Sequence, residues 1–299
     1  MISIMLGANN FSACLGASLG AGIVKLRNAA AIASAGVFFG VLLEGFKLSS
    51  VFGGQIISGL SQSGLLAVLV STLSVMVIVT ILHIPLSLSQ VMIGAGWGFA
   101  LAAGVQIGYT FSLEVIGSWL VSPAIAFLVS ASVEIVVLRM GRKIGDVITL
   151  NRVYAILTLI ASFYAAYTLG ANTVGLLVGL FPSRPEDRLP LSLLFSSGAV
   201  AGIFLLGRGT ARSVAEKLVG LNPSTALSAQ FGGALSVHLF TQIGLPVSIS
   251  QVVIGGMTGA ASVKQIVVVN KRIMRDIIIG WTAGPMAGAI LAFLLMKLF

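Results

Sequence analysis

The sequence has few charged residues and almost no cysteine. Only 8% of its 299 residues are Asp, Glu, Lys or Arg, whereas soluble domains carry about 25%. Hydrophobic residues make up 57% of the chain, and the mean hydropathy is +1.09. This shortage of charge excludes a soluble globular domain and predicts an all-α polytopic protein embedded in the lipid bilayer. The single cysteine, Cys14, excludes an internal disulfide framework.

The sequence also lacks the residue patterns of an enzyme. It carries no metal-ligand cluster, nucleotide-binding loop or catalytic triad, so we expect no enzymatic activity, no metal and no cofactor. The net charge of +9 does not indicate a nucleic-acid partner, because Lys and Arg gather in the cytoplasmic loops of membrane proteins. We therefore expect a multi-pass protein of the cell (plasma) membrane.

A short polar segment occurs twice in this apolar chain. Residues 85–90 read Pro-Leu-Ser-Leu-Ser-Gln, and residues 246–251 read Pro-Val-Ser-Ile-Ser-Gln. Serine is a strong helix N-cap, so each copy predicts a helix that starts abruptly with hydroxyl and amide groups in its first turn. The free N–H groups and partial positive charge of a helix start suit an anion.

The two halves of the chain match residue by residue. A tandem repeat with helix-breaking segments at matching positions is typical of secondary transporters. We predict a first transmembrane repeat over 1–138, a cytoplasmic basic loop over 139–152 and a second repeat over 153–299. The matching landmarks lie 161 to 163 residues apart and are Gly7 and Gly170, Pro85 and Pro246, Trp119 and Trp281, and Pro123 and Pro285.

Charge gives the orientation of the predicted membrane spans. With the 139–152 loop in the cytoplasm, 13 of the 17 Lys and Arg residues face inside, in line with the positive-inside rule. This arrangement inverts one half relative to the other and predicts an inverted-repeat transporter with discontinuous helices. The apolar segments that are predicted to cross or enter the membrane are 1–24, 29–46, 64–83, 85–108, 113–138, 153–169, 190–206, 225–243, 246–263 and 277–296.

Four motifs in this order resemble the inorganic phosphate transporter family. Residues 7–10 and 170–173, Gly-Ala-Asn-Asn and Gly-Ala-Asn-Thr, take the places of the family's two Gly-Ala-Asn-Asp motifs, where we expect helix breaks. Residues 85–90 and 246–251 take the places of its two Pro-Val-Ser-Thr-Thr motifs. The resemblance covers nearly the whole chain and implies alternating-access transport of phosphate. The implied ligands are Asn9, Asn10, Ser87, Ser89, Gln90, Asn172, Thr173, Ser248, Ser250 and Gln251.

This chain departs from the family pattern in ways that bear on the coupling ion. Asn10 and Thr173 stand where the family has Asp residues that are associated with sodium binding. Leu88 and Ile249 each replace a threonine. Neutral oxygens can still ligate Na⁺, but the missing charge favours a proton as the coupling ion. Glu44, inside an apolar segment, is the first candidate to carry that proton.

Several alternatives remain open at this point. Phosphate is the first expected substrate and sulfate the second, and an uncoupled anion channel, a non-transporting sensor and a homodimer stay open. For Glu134 the sequence favours a surface ion pair beside Arg139, and for His83 and His238 it favours structural roles. Only six residues precede Gly7, so a helix equivalent to 153–169 is expected to be missing before it.

Overall fold

The computed structural model describes residues 1–57, 59–81, 86–181, 185–208, 222–265 and 271–298. Within these ranges the regular secondary structure is helical, apart from one isolated bridge between Ile57 and Ile107. The helices are α1 (Ile2–Gly20), α2 (Leu26–Glu44), α3 (Gln62–Ile81), α4 (Leu88–Ala103), α5 (Tyr109–Gly141), α6 (Val147–Leu169), α7 (Gly175–Gly179), α8 (Arg188–Leu205), α9 (Pro223–Gln242), α10 (Ile249–Ser262) and α11 (Lys271–Leu298). Short 3₁₀ and π-helical segments occur at Gly45–Leu48, Val51–Gln55, Gly170–Val174 and Pro185–Asp187.

Length and polarity separate the helices that can cross a bilayer from those that cannot. Seven of the described helical spans are long and apolar enough to cross. The helices α4 and α10 have 16 and 14 residues, so they reach only about 24 and 21 Å, less than the roughly 30 Å of a hydrocarbon core. On α5, Leu113, Leu120 and Leu128 are 69%, 72% and 63% exposed, as expected of a face against lipid. The all-α, multi-pass prediction is confirmed.

The closest helix crossings occur in matching pairs. Gly7 packs against the backbone of Ala199, and the equivalent Gly170 packs against Val37, which is equivalent to Ala199. A Cβ atom on either glycine would lie 2.0 or 2.2 Å from the facing carbonyl oxygen, so these crossings require glycine. Each half thus supplies the glycine at one crossing and the facing residue at the other, so a two-fold axis relates the halves.

Helix directions show that this axis inverts one half. Gly94 and Gly98 of α4 lie against Pro285 and Ala289 of α11, so these two helices run parallel. The equivalent contacts, Gly255 with Pro123 and Gly259 with Phe127, make α10 parallel to α5. The chain reverses between α4 and α5 at the left-handed Gly104, and the Trp97 indole of α4 donates to the Ser112 hydroxyl of α5. Hence α4 and α10 run in opposite directions.

Two sequence-based boundaries need correction. The connection predicted over 139–152 is a turn of residues 142–146, because α5 continues to Gly141 and Asp146 caps α6 by accepting from the backbone of Ile148 and Thr149. The connection between the predicted membrane segments 29–46 and 64–83 contains short helical turns.

Neither Gly-Ala-Asn motif breaks its helix. Residues 7–10 lie in the regular α1, since Gly7 is used for the close crossing with Ala199, and residues 170–173 form a π-helical turn between α6 and α7. Of the other features named from the sequence, Pro85 and His83 lie outside the described residues.

Candidate functional site

The two repeated polar segments both start helices at a serine in the N-cap position. Ser87 and Ser248 occupy the N-cap positions of α4 and α10 with extended backbones, at φ −93°, ψ 122° and φ −89°, ψ 111°. Each serine carbonyl accepts the first helical hydrogen bond, from Val91 and Val252, at 3.1 Å. The Ser248 hydroxyl also accepts from the backbone N–H of Gln251, whereas the Ser87 side chain makes no cap hydrogen bond. The abrupt helix starts predicted from the sequence are therefore present.

Four serine hydroxyls cluster where these helices begin. The Oγ atoms of Ser87 and Ser89 are 3.0 Å apart, and those of Ser248 and Ser250 are also 3.0 Å apart. Ser89 donates to the carbonyl oxygen of Val247 at 3.2 Å, which places the start of α4 against the residue preceding the cap of α10. Two oppositely directed helices thus bring their N-terminal ends together, and both ends carry partial positive charge.

The segment before α10 is held by side chains from two other helices. The carbonyl oxygen of Pro246 accepts from the indole Nε1 of Trp119 at 3.1 Å and from the hydroxyl of Ser118 at 3.3 Å. The backbone N–H of Val247 donates to Oδ1 of Asn172 at 3.1 Å. Because Trp119 belongs to the first repeat and Pro246 to the second, the repeated tryptophan positions the polar segment of the opposite half.

The side-chain amide of Asn172 is fully used in hydrogen bonds that hold this segment. Besides accepting from Val247, it donates its amide hydrogens to Thr241 Oγ1 at 2.9 Å and to the carbonyl oxygen of Leu245 at 3.2 Å. Its side chain is fully buried. The sequence predicted Asn172 as a ligand, whereas its hydrogen bonds make it a residue that positions the start of α10.

Three other predicted ligands have buried polar atoms without a partner. Gln90 and Gln251, in the first turns of α4 and α10, are 1% and 2% exposed, and neither Oε1 atom accepts a hydrogen bond. The hydroxyl of Thr173, beside Asn172 in the π-helical turn, is also buried and unpaired. Leaving a buried polar atom unsatisfied costs about 1–3 kcal/mol, so a ligand that hydrogen-bonds to these atoms would stabilise the protein.

The predicted ligands on α1 are less closely tied to this cluster. Asn10 donates its side-chain amide to Leu6 of its own helix at 3.1 Å, and both Asn9 and Asn10 are partly exposed. Among the described residues, no hydrogen bond joins either asparagine to the serine pairs. Eight of the ten predicted residues thus lie in the two helix starts and in the π-helical turn that bonds to them, whereas Asn9 and Asn10 lie on α1 without a described hydrogen bond to the serine pairs.

A sequence model described as the phosphate transporter family matches residues 6–149 and again residues 140–292. The chain belongs to the phosphate transporter family. The two matches correspond closely to the two halves of the chain. Family membership also agrees with the absence of an enzyme signature in the sequence, because the relatives are permeases.

Individual relatives within the family differ in named substrate. A protein of Methanocaldococcus jannaschii named "Putative phosphate permease" is 28% identical over 297 residues, which cover 98% of this chain and 93% of the relative. The sulfate permease CysP of Bacillus subtilis is 25% identical over 314 residues, covering 98% and 84%. A solved structure titled "The sodium-dependent phosphate transporter" matches with a TM-score of 0.88 at 21% identity, covering 99% of this chain and 96% of that one, and it supports the fold.

Glu44 has partners that the sequence did not indicate. Its Oε2 lies 3.4 Å from Nε2 of His238 and accepts from the Gln242 amide at 2.9 Å. Its Oε1 lies 3.7 Å from Nζ of Lys47. The residues on α9 are about 195 positions away in sequence and have no polar counterparts in the other half, so neither local pattern nor repeat could reveal this cluster.

The predicted surface position of Glu134 is wrong. Its side chain is fully buried and pairs with Nζ of Lys264 at 2.9 Å, not with Arg139. The same carboxylate oxygen accepts from the hydroxyls of Ser224 and Thr225 at 3.0 and 3.3 Å. The reason is helical periodicity, because Glu134 continues a buried stripe at every fourth position of α5 that consists of Ser118, Ser122, Ala126, Ser130 and Glu134.

Proposed function

We propose that this protein is a secondary transporter that binds inorganic phosphate between the starts of α4 and α10. The observation that carries the proposal is the bond from Ser89 to Val247, because it joins two helix N-termini in the protein interior. Helix N-termini bind anions through free N–H groups and partial positive charge, and broken helices that meet at the repeat interface form substrate sites in other transporters. The four serine hydroxyls supply further donors for the anion oxygens.

The unpaired glutamine oxygens support phosphate over sulfate. At neutral pH phosphate keeps at least one O–H group, whereas sulfate has none. Gln90 and Gln251 each offer a buried oxygen that accepts no hydrogen bond, and a phosphate hydroxyl can satisfy one of them. Sulfate is the second candidate, because a sulfate permease is among the relatives and because Asn10 and Thr173 place no carboxylate near the anion.

The inverted halves support alternating access as the transport mechanism. Glycine crossings let α4 slide against α11 and α5 against α10 without displacing side chains, since backbone meets backbone at Gly94 and Gly255. The π-helical turn at Gly170–Val174 interrupts regular hydrogen bonding next to Asn172. We infer that the two halves exchange inward-open and outward-open states about these contacts, driven by a proton or sodium gradient.

An uptake assay in proteoliposomes tests the proposal. Labelled phosphate should accumulate against its own gradient when a proton gradient or a sodium gradient is imposed, and excess unlabelled sulfate should compete weakly. Flux that no ion gradient can drive uphill would indicate a channel, and anion binding without flux would indicate a sensor. Displacement of phosphate by an equal concentration of sulfate would favour sulfate transport.

Matched variants connect that activity to the proposed site. Gln251→Leu removes a buried amide of similar volume at the start of α10, while Gln62→Leu makes the same change at the exposed start of α3. We expect phosphate uptake to fall at least tenfold in the first variant and to stay unchanged in the second. Equal uptake by both variants would place the site elsewhere.

A further inference from the structure

A chain of three hydrogen-bonding side chains connects α6, α9 and α2. The Tyr164 hydroxyl lies 2.8 Å from Nδ1 of His238, and Nε2 of the same ring lies 3.4 Å from the Glu44 carboxylate. Both ring nitrogens of His238 therefore face a polar partner. The rings of Tyr164 and Tyr167 flank the imidazole with centroids 5.5 and 6.2 Å away and fix its plane.

The charged and titratable groups around the imidazole are few. The end of α2 and the turn after it contribute Glu44 and Lys47, and α6 contributes Tyr164 and Tyr167. The side chains of His238 and Glu44 are 24% and 20% exposed, so neither group is sealed inside the protein although the helices that carry them are apolar. With neutral His238, the charges of Glu44 and Lys47 cancel.

The internal repeat does not reproduce this cluster in the other half of the chain. The repeat places Leu206 at the position equivalent to Glu44 and Val77 at the position equivalent to His238. The other half therefore carries apolar side chains at both positions. A polar cluster that occurs in only one of the two halves can serve a transport step that differs between the two faces of the membrane.

Helix α9 is joined to the proposed anion site by hydrogen bonds that begin one turn after His238. Thr241, one turn after His238 on α9, accepts from Asn172, and Asn172 in turn accepts from the N–H of Val247. The carbonyl oxygen of Val247 accepts from Ser89 at the anion site. On the other side of the cluster, Gly45 directly follows Glu44 and packs against Gly175 at the end of the π-helical turn. A shift of α9 relative to α2 would therefore move the groups that surround the proposed anion site.

We propose that His238, held between Tyr164 and Glu44, takes up the proton that is transported with the anion. In the neutral ring, Nε2–H donates to Glu44 and Nδ1 accepts the Tyr164 hydrogen. A proton from water binds at Nδ1, both nitrogens then donate, and the Tyr164 oxygen becomes the acceptor. The cluster of Glu44, Lys47 and His238 changes from neutral to +1, which attracts an anion to the site nearby. The proton returns to water on the other side when the anion leaves.

This inference rests on the proposed transport function, and two assays separate them. Phosphate exchange across the membrane, with no gradient, reports transport alone. Accumulation under an inward proton gradient, with the membrane potential clamped, reports coupling, and one pH unit supports about tenfold accumulation per proton. We expect His238→Gln and Glu44→Gln to retain exchange at saturating phosphate, where weaker attraction of the anion is offset by its concentration, and to lose accumulation. Absence of exchange in the unmodified protein would instead contradict the transport proposal itself.

A chemical test avoids the risk that a variant fails to fold. The chain has two histidines, so a His83→Gln background leaves His238 as the target of an imidazole-acylating reagent. Acylation of the folded protein in liposomes should abolish proton-driven accumulation while phosphate exchange continues, and hydroxylamine should restore accumulation. Accumulation that persists in both acylated protein and His238→Gln would overturn the assignment, as would a strict sodium requirement in the unmodified protein.

Discussion

The hydroxyl of Ser89 donates to the carbonyl oxygen of Val247 at 3.2 Å, across the boundary between the two halves of the chain. The corresponding serine of the second half, Ser250, pairs with Ser248 but makes no described bond to the first half. The site is therefore pseudo-symmetric in sequence and asymmetric in its hydrogen bonds. This asymmetry allows the contributions of the two helix starts to be measured separately.

Ser89→Ala and Ser250→Ala should each weaken phosphate binding. Losing a hydrogen bond to a charged ligand costs about 1.5–3 kcal/mol, which is roughly tenfold or more in affinity. Calorimetry or competition uptake measures the change, with Ser132→Ala as the control, because Ser132 is exposed on α5 and bonds only to its own helix. Unchanged affinity in both site variants would refute the placement of the anion.

Asn172→Asp should remove two of the hydrogen bonds that position the start of α10. The change keeps Oδ1 for the Val247 N–H but replaces two donors, so that Thr241 and the carbonyl oxygen of Leu245 face a carboxylate. We expect a loss of about 2–4 kcal/mol in unfolding free energy, from two lost hydrogen bonds at a buried position. Thermal unfolding in detergent measures it. Asn10→Asp is the comparison, since it breaks one partly buried bond within α1 and should change stability far less.

The Glu134–Lys264 pair offers a second test of buried electrostatics. Lys264→Met leaves a fully buried carboxylate without its cation, which typically costs about 3–5 kcal/mol. Adding Glu134→Gln should recover most of that loss, because the amide removes the uncompensated charge. A double-mutant cycle on thermal stability measures the coupling. Additive effects of the two substitutions would show that the pair does not interact as its 2.9 Å distance implies.

Which parts of this structure could be predicted depended on whether the signal was local. Helix starts at Ser87 and Ser248 follow from cap chemistry that the sequence displays directly. The sequence does not reveal that α1 continues unbroken through Gly7. That glycine is needed for a crossing with Ala199, which is nearly 200 residues away. Glu134 could have been placed inside, since its spacing of four from Ser130 continues a buried stripe.

The orientation of the chain in the membrane remains a prediction that the sequence alone supplies. The charge bias places the turn before α6 inside and the turn before α8 outside, and Gly145 and Glu186 are exposed in those turns. In a Cys14→Ala background, an impermeant thiol reagent added from outside should label Glu186→Cys and spare Gly145→Cys. The reverse pattern would invert the orientation, and equal labelling would refute the number of crossings.

Thr173→Asp tests how the site separates phosphate from sulfate. The Thr173 hydroxyl is buried and unpaired beside Asn172, so a carboxylate there faces the interior at a position where the family pattern has Asp. Such a carboxylate can accept the O–H of phosphate, whereas it only repels sulfate. We expect the ratio of phosphate to sulfate affinity to rise about tenfold, the equivalent of one charged hydrogen bond. Thr173→Asn is the neutral control, because it has similar size and adds no charge. If both variants shift the ratio equally, shape rather than charge sets the preference, and the carboxylate argument fails.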